Sequence, residues 1–261
     1  MTNHTFGLVL FVWDGTTNYG AIKILVIKRR CSYPFGDFVN GSYDPRSGNF
    51  EADMKHRFSL MTAEEKTFID SMNFATIFFK FWLMHPETSI VLPEELAKYN
   101  SRKLKFNETF VRHDHGERLQ AWLRSTAHIG LFEMFEFPKG RARDSAEGEI
   151  EAAKRETLEE TNIHDDMYDI LPMDPVKHNF IGTDDHRTYR RTYYFGRMKQ
   201  DRVRSNINHK QRAQRLEVDE ITWLDLDTLE KHVPIYNNIY AAVREHCANE
   251  VIGRVTAIAD A

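Results

Sequence analysis

The stretch GRARDSAEGEIEAAKRETLEETNI, residues 140–163, decides how the rest of this chain is read. On a helix Glu156, Glu159 and Glu160 fall at i, i+3 and i+4, so three carboxylates share one face within a single turn. Like charges at that spacing repel, and a hard divalent cation with oxygen ligands offsets the repulsion. Mg²⁺ or Mn²⁺ in such a cluster binds phosphate oxygens and generates hydroxide near neutral pH. Ile150, Ala153 and Thr157 form a modest apolar stripe on the opposite side, suited to docking on a sheet. Upstream, Phe137-Pro138-Lys139-Gly140 reads as a sharp strand exit whose free carbonyls offer a further metal ligand. Acidic runs are most often solvated helix faces, so the glutamates alone do not decide the matter.

Outward from this helix, the N-terminal side opens with β-rich runs at Gly7–Trp13 and Ala21–Ile27, separated by turn chemistry. Residues 32–50 are dense in Gly, Pro, Asn and Ser and read as loop. Residues 51–127 then read as helical: a capping box at Thr62 and Glu65, an apolar run from Phe74 that stops at Pro86, a start at Pro93, and a last helix over 116–125. Strand character resumes at Ile129–Phe137. Beyond the acidic helix, expected at 147–161, strands are predicted at Val176–Ile181, Thr188–Met198 and Glu217–Leu224, with a C-terminal helix over 237–252. The pattern predicts an α+β fold, an α/β/α sandwich interrupted by helices.

A length of 261 residues fits one large domain or a medium one with an insertion. The net charge of −4 shows no gross basic excess. Cys31 and Cys247 make neither a disulfide framework nor a four-cysteine zinc site, and the histidines lack zinc-binding spacing. A reducing, cytoplasmic setting is the simplest reading. No apolar stretch is long enough to span a bilayer, so no membrane partner is expected.

The acidic stretch resembles the Nudix box, G-x5-E-x7-R-E-U-x-E-E-x-G-U, with U a bulky aliphatic residue. Gly140, Glu147, Arg155, Glu156, Glu159, Glu160 and Ile163 match it. Three departures stand out: the loop from Gly140 to Glu147 is one residue longer, Thr157 replaces an aliphatic residue, and Asn162 stands where glycine is usual. None removes a metal ligand, and Asn is the best non-glycine residue at a left-handed helix end. The entry Phe135-Glu-Phe-Pro-Lys-Gly140, the Ile24–Arg30 run and a helical insertion ahead of the box resemble the mRNA-decapping Nudix proteins of large cytoplasmic DNA viruses, the asfarvirus type especially.

That resemblance implies a Nudix domain over 1–37 and 128–261, with an RNA-binding helical subdomain over 38–127. It implies hydrolysis of the 5′ cap to 7-methyl-GDP and 5′-monophosphate RNA in the host cytoplasm, with Mg²⁺ or Mn²⁺. Glu156, Glu159 and Glu160 then bind metal, joined by Gly140 and by Glu217 with Glu220 in reserve. Glu160 is the expected general base, Arg155 orients the cluster, and Lys139 meets a phosphate.

Local charge favours RNA as partner. Residues 187–215 hold ten Lys and Arg against Asp201 alone, Arg190, Arg191, Arg202 and Arg204 among them. A second basic set in the insertion includes Lys103 and Lys105, and Phe135, Tyr189 and Tyr193 are candidates for stacking a base or the methylguanine. Two other functions remain open on the sequence: hydrolysis of diphosphoinositol polyphosphates or free nucleotides by the same box, and RNA binding without catalysis.

Overall fold

The computed structural model describes residues 3–15, 22–82, 93–130, 132–181, 188–200, 207–208 and 211–259. The chain divides into two compact units, 1–29 with 135–261, and 30–134.

The first unit is built on one mixed sheet. β1 (Asn3–Val12) and β2 (Lys23–Arg29) are antiparallel, with Phe11 opposite Ile24. Each holds a continuous apolar run, Phe6–Val12 in β1 and Ile24–Ile27 in β2, as strands covered on both faces do.

The second unit follows β2, and its secondary structure among the described residues is helical: α1 (Tyr33–Val39), α2 (Phe50–Ser59), α3 (Ala63–Asp70), α4 (Phe74–Phe81), α5 (Pro93–Phe106) and α6 (Glu117–Ser125). Its core is aromatic, with Phe38, Phe58, Phe74, Phe78, Phe106 and Phe110 all buried. The capping box forms: Glu65 N donates to Thr62 Oγ1 at 3.2 Å and Thr62 N to Glu65 Oε2 at 2.8 Å. The buried Glu65 carboxylate also accepts from Ser32 N and Oγ, at 2.6 and 2.8 Å. Ser32 in turn caps α1, a helix where a loop was expected. Pro34 at the first turn and Phe35, Phe38 and Val39 facing the core explain it, and they carry the unit's boundary back to Arg30 from the expected residue 38.

The chain returns to the first unit at β3 (Phe135–Glu136) and β4 (Lys139–Gly140). Only these short pairings replace the strand expected over 129–137, because Phe132–Met134 takes a 3-10 turn. There follow α7 (Glu149–Thr161), β5 (Tyr168–Ile170), β6 (Val176–Ile181), β7 (Thr188–Met198), α8 (Arg212–Glu217), β8 (Val218–Asp225), α9 (Leu226–His232) and α10 (Asn237–Ala259). The sheet runs β3-β2-β1-β7-β5, with β4 also paired to β1, β6 to β7 and β8 to β2. β1 and β7 are parallel, and the other pairings are antiparallel.

Alternation along β1 makes the sandwich. Phe6, Leu8 and Leu10 pack with Ala152, Ala153 and Ile163 of the α7 side. On the other face Phe11 meets His246 of α10, and Phe137 meets Tyr193, Tyr236 and Tyr240. Gly7 permits the crowding where β4 crosses β1: a Cβ there would lie 2.7 Å from the Pro138 carbonyl oxygen. Among the described residues no helix is long and apolar enough to cross a membrane.

Candidate active site

The site gathers at the start of β4 and the C-terminal half of α7. Buried positions on α7 are Ala152, Ala153, Thr157, Glu160 and Thr161. Glu160 therefore shares the sheet-facing stripe with Ala153 and Thr157, and does not stand opposite it as the sequence reading had it. Ile150, expected in that stripe, is only half-buried. Thr157 is fully buried and returns its hydroxyl to the Ala153 carbonyl at 2.8 Å, so its polar atom is satisfied within the helix.

Arg155 is the organising cation. Its Nε and Nη2 grip both oxygens of Glu147 at 2.7 and 3.0 Å, the bidentate geometry a guanidinium favours. Nη1 donates to Glu156 at 2.6 Å and to Glu159 at 3.1 Å, and Nη2 also reaches the Arg141 carbonyl at 2.7 Å. Glu147 is held down to about 2 by its bond from Arg155 and the Arg143 backbone N–H. The longer loop before Glu147 is closed by Asp144, whose Oδ1 accepts from the N–H groups of Ala146 and Glu147 at 2.8 and 3.1 Å.

Gly140 lies directly against Glu156: a Cβ at 140 would stand 2.0 Å from the Glu156 carboxyl carbon. Only glycine lets this carboxylate sit on the β4 backbone. Glu160, 7% exposed, accepts from Lys139 N at 3.0 Å. Burial pushes its carboxyl well above the usual range, the Lys139 charge opposes that, and the nearby Glu136, Glu217 and Glu156 add to it. Glu156 is raised chiefly by burial, against the pull of Arg155. Glu217 is raised by partial desolvation and then by the charge of Glu156.

Two predicted residues are placed differently from expectation. Glu217 ends α8 instead of opening a strand, one residue before β8 begins. Lys139 is buried, and its Nζ pairs with Glu136 Oε2 at 2.7 Å, so its ammonium is committed inside the protein and not offered to a phosphate. Glu136 is the member that the sequence reading missed. Burial opposes its ionisation, yet Lys139, Arg29 and Arg191 together outweigh burial and keep it below its ordinary value. A single carboxylate between Phe135 and Phe137 was the available signal, since a charge in an aromatic run must be paired if it is buried.

Among the described residues, no three His, Cys, Asp or Glu side chains converge closely enough to hold a metal as they stand. Glu156 and Glu159 are drawn onto Arg155, and Glu160 onto the Lys139 backbone. The donor set nevertheless fits a divalent cation. It is all hard oxygen: the buried Glu160 and half-buried Glu156 are raised by desolvation and by neighbouring carboxylates, and Glu217, although its side chain is exposed, is raised by partial desolvation and by the charge of Glu156, a repulsion that a cation relieves.

The remaining candidates fall elsewhere. Glu220 is exposed on β8, in register with Lys28. Phe135 and Tyr193 are buried and offer no open face, and Tyr189 is half-buried. Arg190 is exposed on β7, while Arg191 reaches the Tyr236 hydroxyl at 3.4 Å. Lys103 is exposed, with its ammonium 5.6 Å from the Tyr99 ring centre. Lys105 instead ties its own unit together, donating to the Gly41 and Tyr43 carbonyls at 2.7 and 2.6 Å. Arg202 and Arg204 lie outside the described residues.

The NUDIX domain family model matches residues 109–243, just over half of the chain. The chain belongs to the Nudix family. The match begins within the helical unit and omits β1 and β2, which the fold places in the same Nudix sheet as β7 and β8. The chain is similar to the mRNA-decapping protein g5R of African swine fever virus. Identity is 22% over 215 residues with the Warthog/Namibia isolate, covering 82% of each chain. With the Pig/Kenya isolate it is 23% over 215 residues, again 82% of each. Among solved structures it is similar to a C. elegans Ap4A hydrolase binary complex, with a TM-score of 0.43 and 13% identity over 95% of this chain and 96% of that one.

Proposed function

We propose that this Nudix protein is a viral mRNA-decapping hydrolase, cleaving the cap polyphosphate by water attack to leave 7-methyl-GDP and 5′-monophosphate RNA. The observation that carries the reading is the buried Glu160 carboxyl, raised within a cluster of glutamates beside Gly140, on the Nudix helix of a chain similar along most of its length to named decapping proteins. Glu156, Glu159, Glu160, Glu217 and the Gly140 carbonyl would hold Mg²⁺ or Mn²⁺. When bound, the cation polarises a phosphate and lowers the pKa of water.

The chain's own groups do the rest. Arg155 gathers Glu147, Glu156 and Glu159 into one array, from which Glu156 and Glu159 would turn to meet the cation. Glu160 accepts the proton of the attacking water, as the buried carboxyl that α7 holds against the β4 backbone. Lys139 acts through its carboxylate neighbours: its charge draws Glu136 and opposes the protonation of Glu160. Arg190 and Arg191 on the first unit, and Lys103 on the helical unit, each supply sequence-independent contacts to RNA phosphates, in the host cytoplasm.

The test is a substrate panel of cap-labelled long RNA, free cap dinucleotide and diphosphoinositol polyphosphate with Mn²⁺. Release of 7-methyl-GDP from the RNA, lost in Glu160→Gln, is the expected result. Cleavage of the small substrates with capped RNA untouched would overturn decapping.

A further inference from the structure

The box departs from its family pattern at Asn162, and the structure gives that departure a use. Asn162 ends α7 with φ 58° and ψ 22°, the left-handed conformation that normally selects glycine. Its N–H caps the Leu158 carbonyl at 2.9 Å, which any residue in that conformation does. Its side chain does more: Nδ2 donates to Gln214 Oε1 at 3.2 Å. A glycine has no group to make that bond.

Gln214 is 3% exposed, and its side chain bonds to two neighbouring segments. Its Nε2 donates to the Glu160 main-chain carbonyl at 2.9 Å, one of the last four carbonyls of α7, which have no partner inside the helix. Its Oε1 accepts from the Asn208 N–H at 2.7 Å as well as from Asn162. Gln214 thus fixes the end of α7, the chain before α8 and α8 itself at one point. Glu217 lies three residues further along, at the exposed C-terminal end of α8.

We infer that Asn162 and Gln214 form a latch that seats α8 on the end of the Nudix helix and so holds Glu217 beside Glu156 and Glu160. The inference rests on Glu217 belonging to the ion-holding set proposed above. Both latch members are positioning residues: Asn162 bonds Gln214, Gln214 bonds the Glu160 main-chain carbonyl, and each acts through the backbone of α7 and the placement of α8.

The experiment measures Mn²⁺ binding to the substrate-free protein from the paramagnetic resonance of the free ion. It compares wild type with Asn162→Gly, Gln214→Leu, Glu217→Gln and the Asn162→Gly/Glu217→Gln double variant. Asn162→Gly keeps the left-handed cap and removes only the carboxamide, so the fold is retained, and the thermal unfolding midpoint checks this. Asn162→Gly and Gln214→Leu are each expected to weaken Mn²⁺ binding by roughly tenfold, the usual size of an outer-sphere effect, and Glu217→Gln by at least as much. Adding Asn162→Gly to Glu217→Gln should weaken it no further, because both act on the same contact. If Glu217→Gln weakens binding while Asn162→Gly and Gln214→Leu change only the unfolding midpoint, the latch is structural and the inference fails. Additive losses in the double variant overturn action through Glu217. If Glu217→Gln leaves Mn²⁺ affinity unchanged, the reading of Glu217 itself is wrong, and the latch falls with it.

Discussion

Replacing Gly140 by alanine puts a methyl group where the Glu156 carboxylate now lies. The added Cβ would stand 2.0 Å from Glu156 Cδ and 2.1 and 2.3 Å from its oxygens, whereas ordinary contact begins at 3.4 Å. The carboxylate must therefore retreat by about 1.4 Å (3.4 less 2.0). Displacing a reacting or metal-holding group by roughly 1 Å costs about 100-fold in rate. That loss corresponds to about 2.7 kcal/mol of transition-state stabilisation. The fold should suffer little. The clash is with the end of a flexible side chain; the bond lost from Arg155 to Glu156 costs about 2 kcal/mol at most, and alanine recovers part of this by restricting the unfolded chain. Single-turnover cleavage of capped RNA over a Mn²⁺ titration, beside thermal unfolding, measures both quantities. Gly148→Ala is the matched control: its Cβ would lie 2.2 Å from Glu151 Oε2, a carboxylate on the exposed side of α7, and activity should hold. Wild-type rate and Mn²⁺ dependence in Gly140→Ala would refute the claim that Glu156 must sit on the β4 backbone.

Other outcomes follow from the same geometry. Glu160→Gln should cut turnover by roughly 10²–10⁴-fold while RNA binding survives. The same variant has a stability signature in metal-free protein. A carboxyl raised in the folded state favours folding below its ordinary value of 4.5 and costs stability as pH climbs from there through the folded value. In EDTA, wild type should therefore lose stability above about pH 4.5 relative to Glu160→Gln; parallel pH profiles of the two melting curves would contradict the burial argument. Arg155→Lys keeps the charge but cannot span Glu147, Glu156 and Glu159, so unfolding free energy should fall by about 2 kcal/mol and turnover with it. For RNA, Arg190→Gln or Lys103→Gln should each flatten the slope of log affinity against log salt by about 0.7, the single-strand value per phosphate contact. An unchanged slope would remove that residue from the RNA surface.

The Nudix helix was legible because its chemistry is written at fixed spacing on one element. Gly140, Glu147, Arg155 and the three glutamates need only helical geometry and one short loop to meet. Strand runs with strong β character were equally readable: β6 and β7 occupy the spans expected of them. What was missed depends on contacts between distant segments. Residues 33–39 look like loop by composition, yet Phe35, Phe38 and Val39 are held helical by an aromatic core that the local sequence does not display. Glu217 reads as strand because β8 follows it directly, and α8 ends there through the bonds Gln214 makes to Glu160 and Asn208. The burial of Lys139 against Glu136, which removes it from phosphate contact, is likewise a tertiary fact. Charge counting located basic stretches but not their use, so Lys105, which closes a loop of its own unit, looked the same as exposed Lys103.

The central claim is that the glutamates of α7 seat a divalent cation against β4. Anomalous scattering from a crystal soaked in Mn²⁺ tests it without reference to any substrate. The account expects a manganese peak bounded by carboxylate oxygens of Glu156 and Glu160 and the Gly140 carbonyl, with Glu156 drawn off Arg155. Glutamates still engaged by Arg155 and the Lys139 backbone, with no manganese between them, would contradict it.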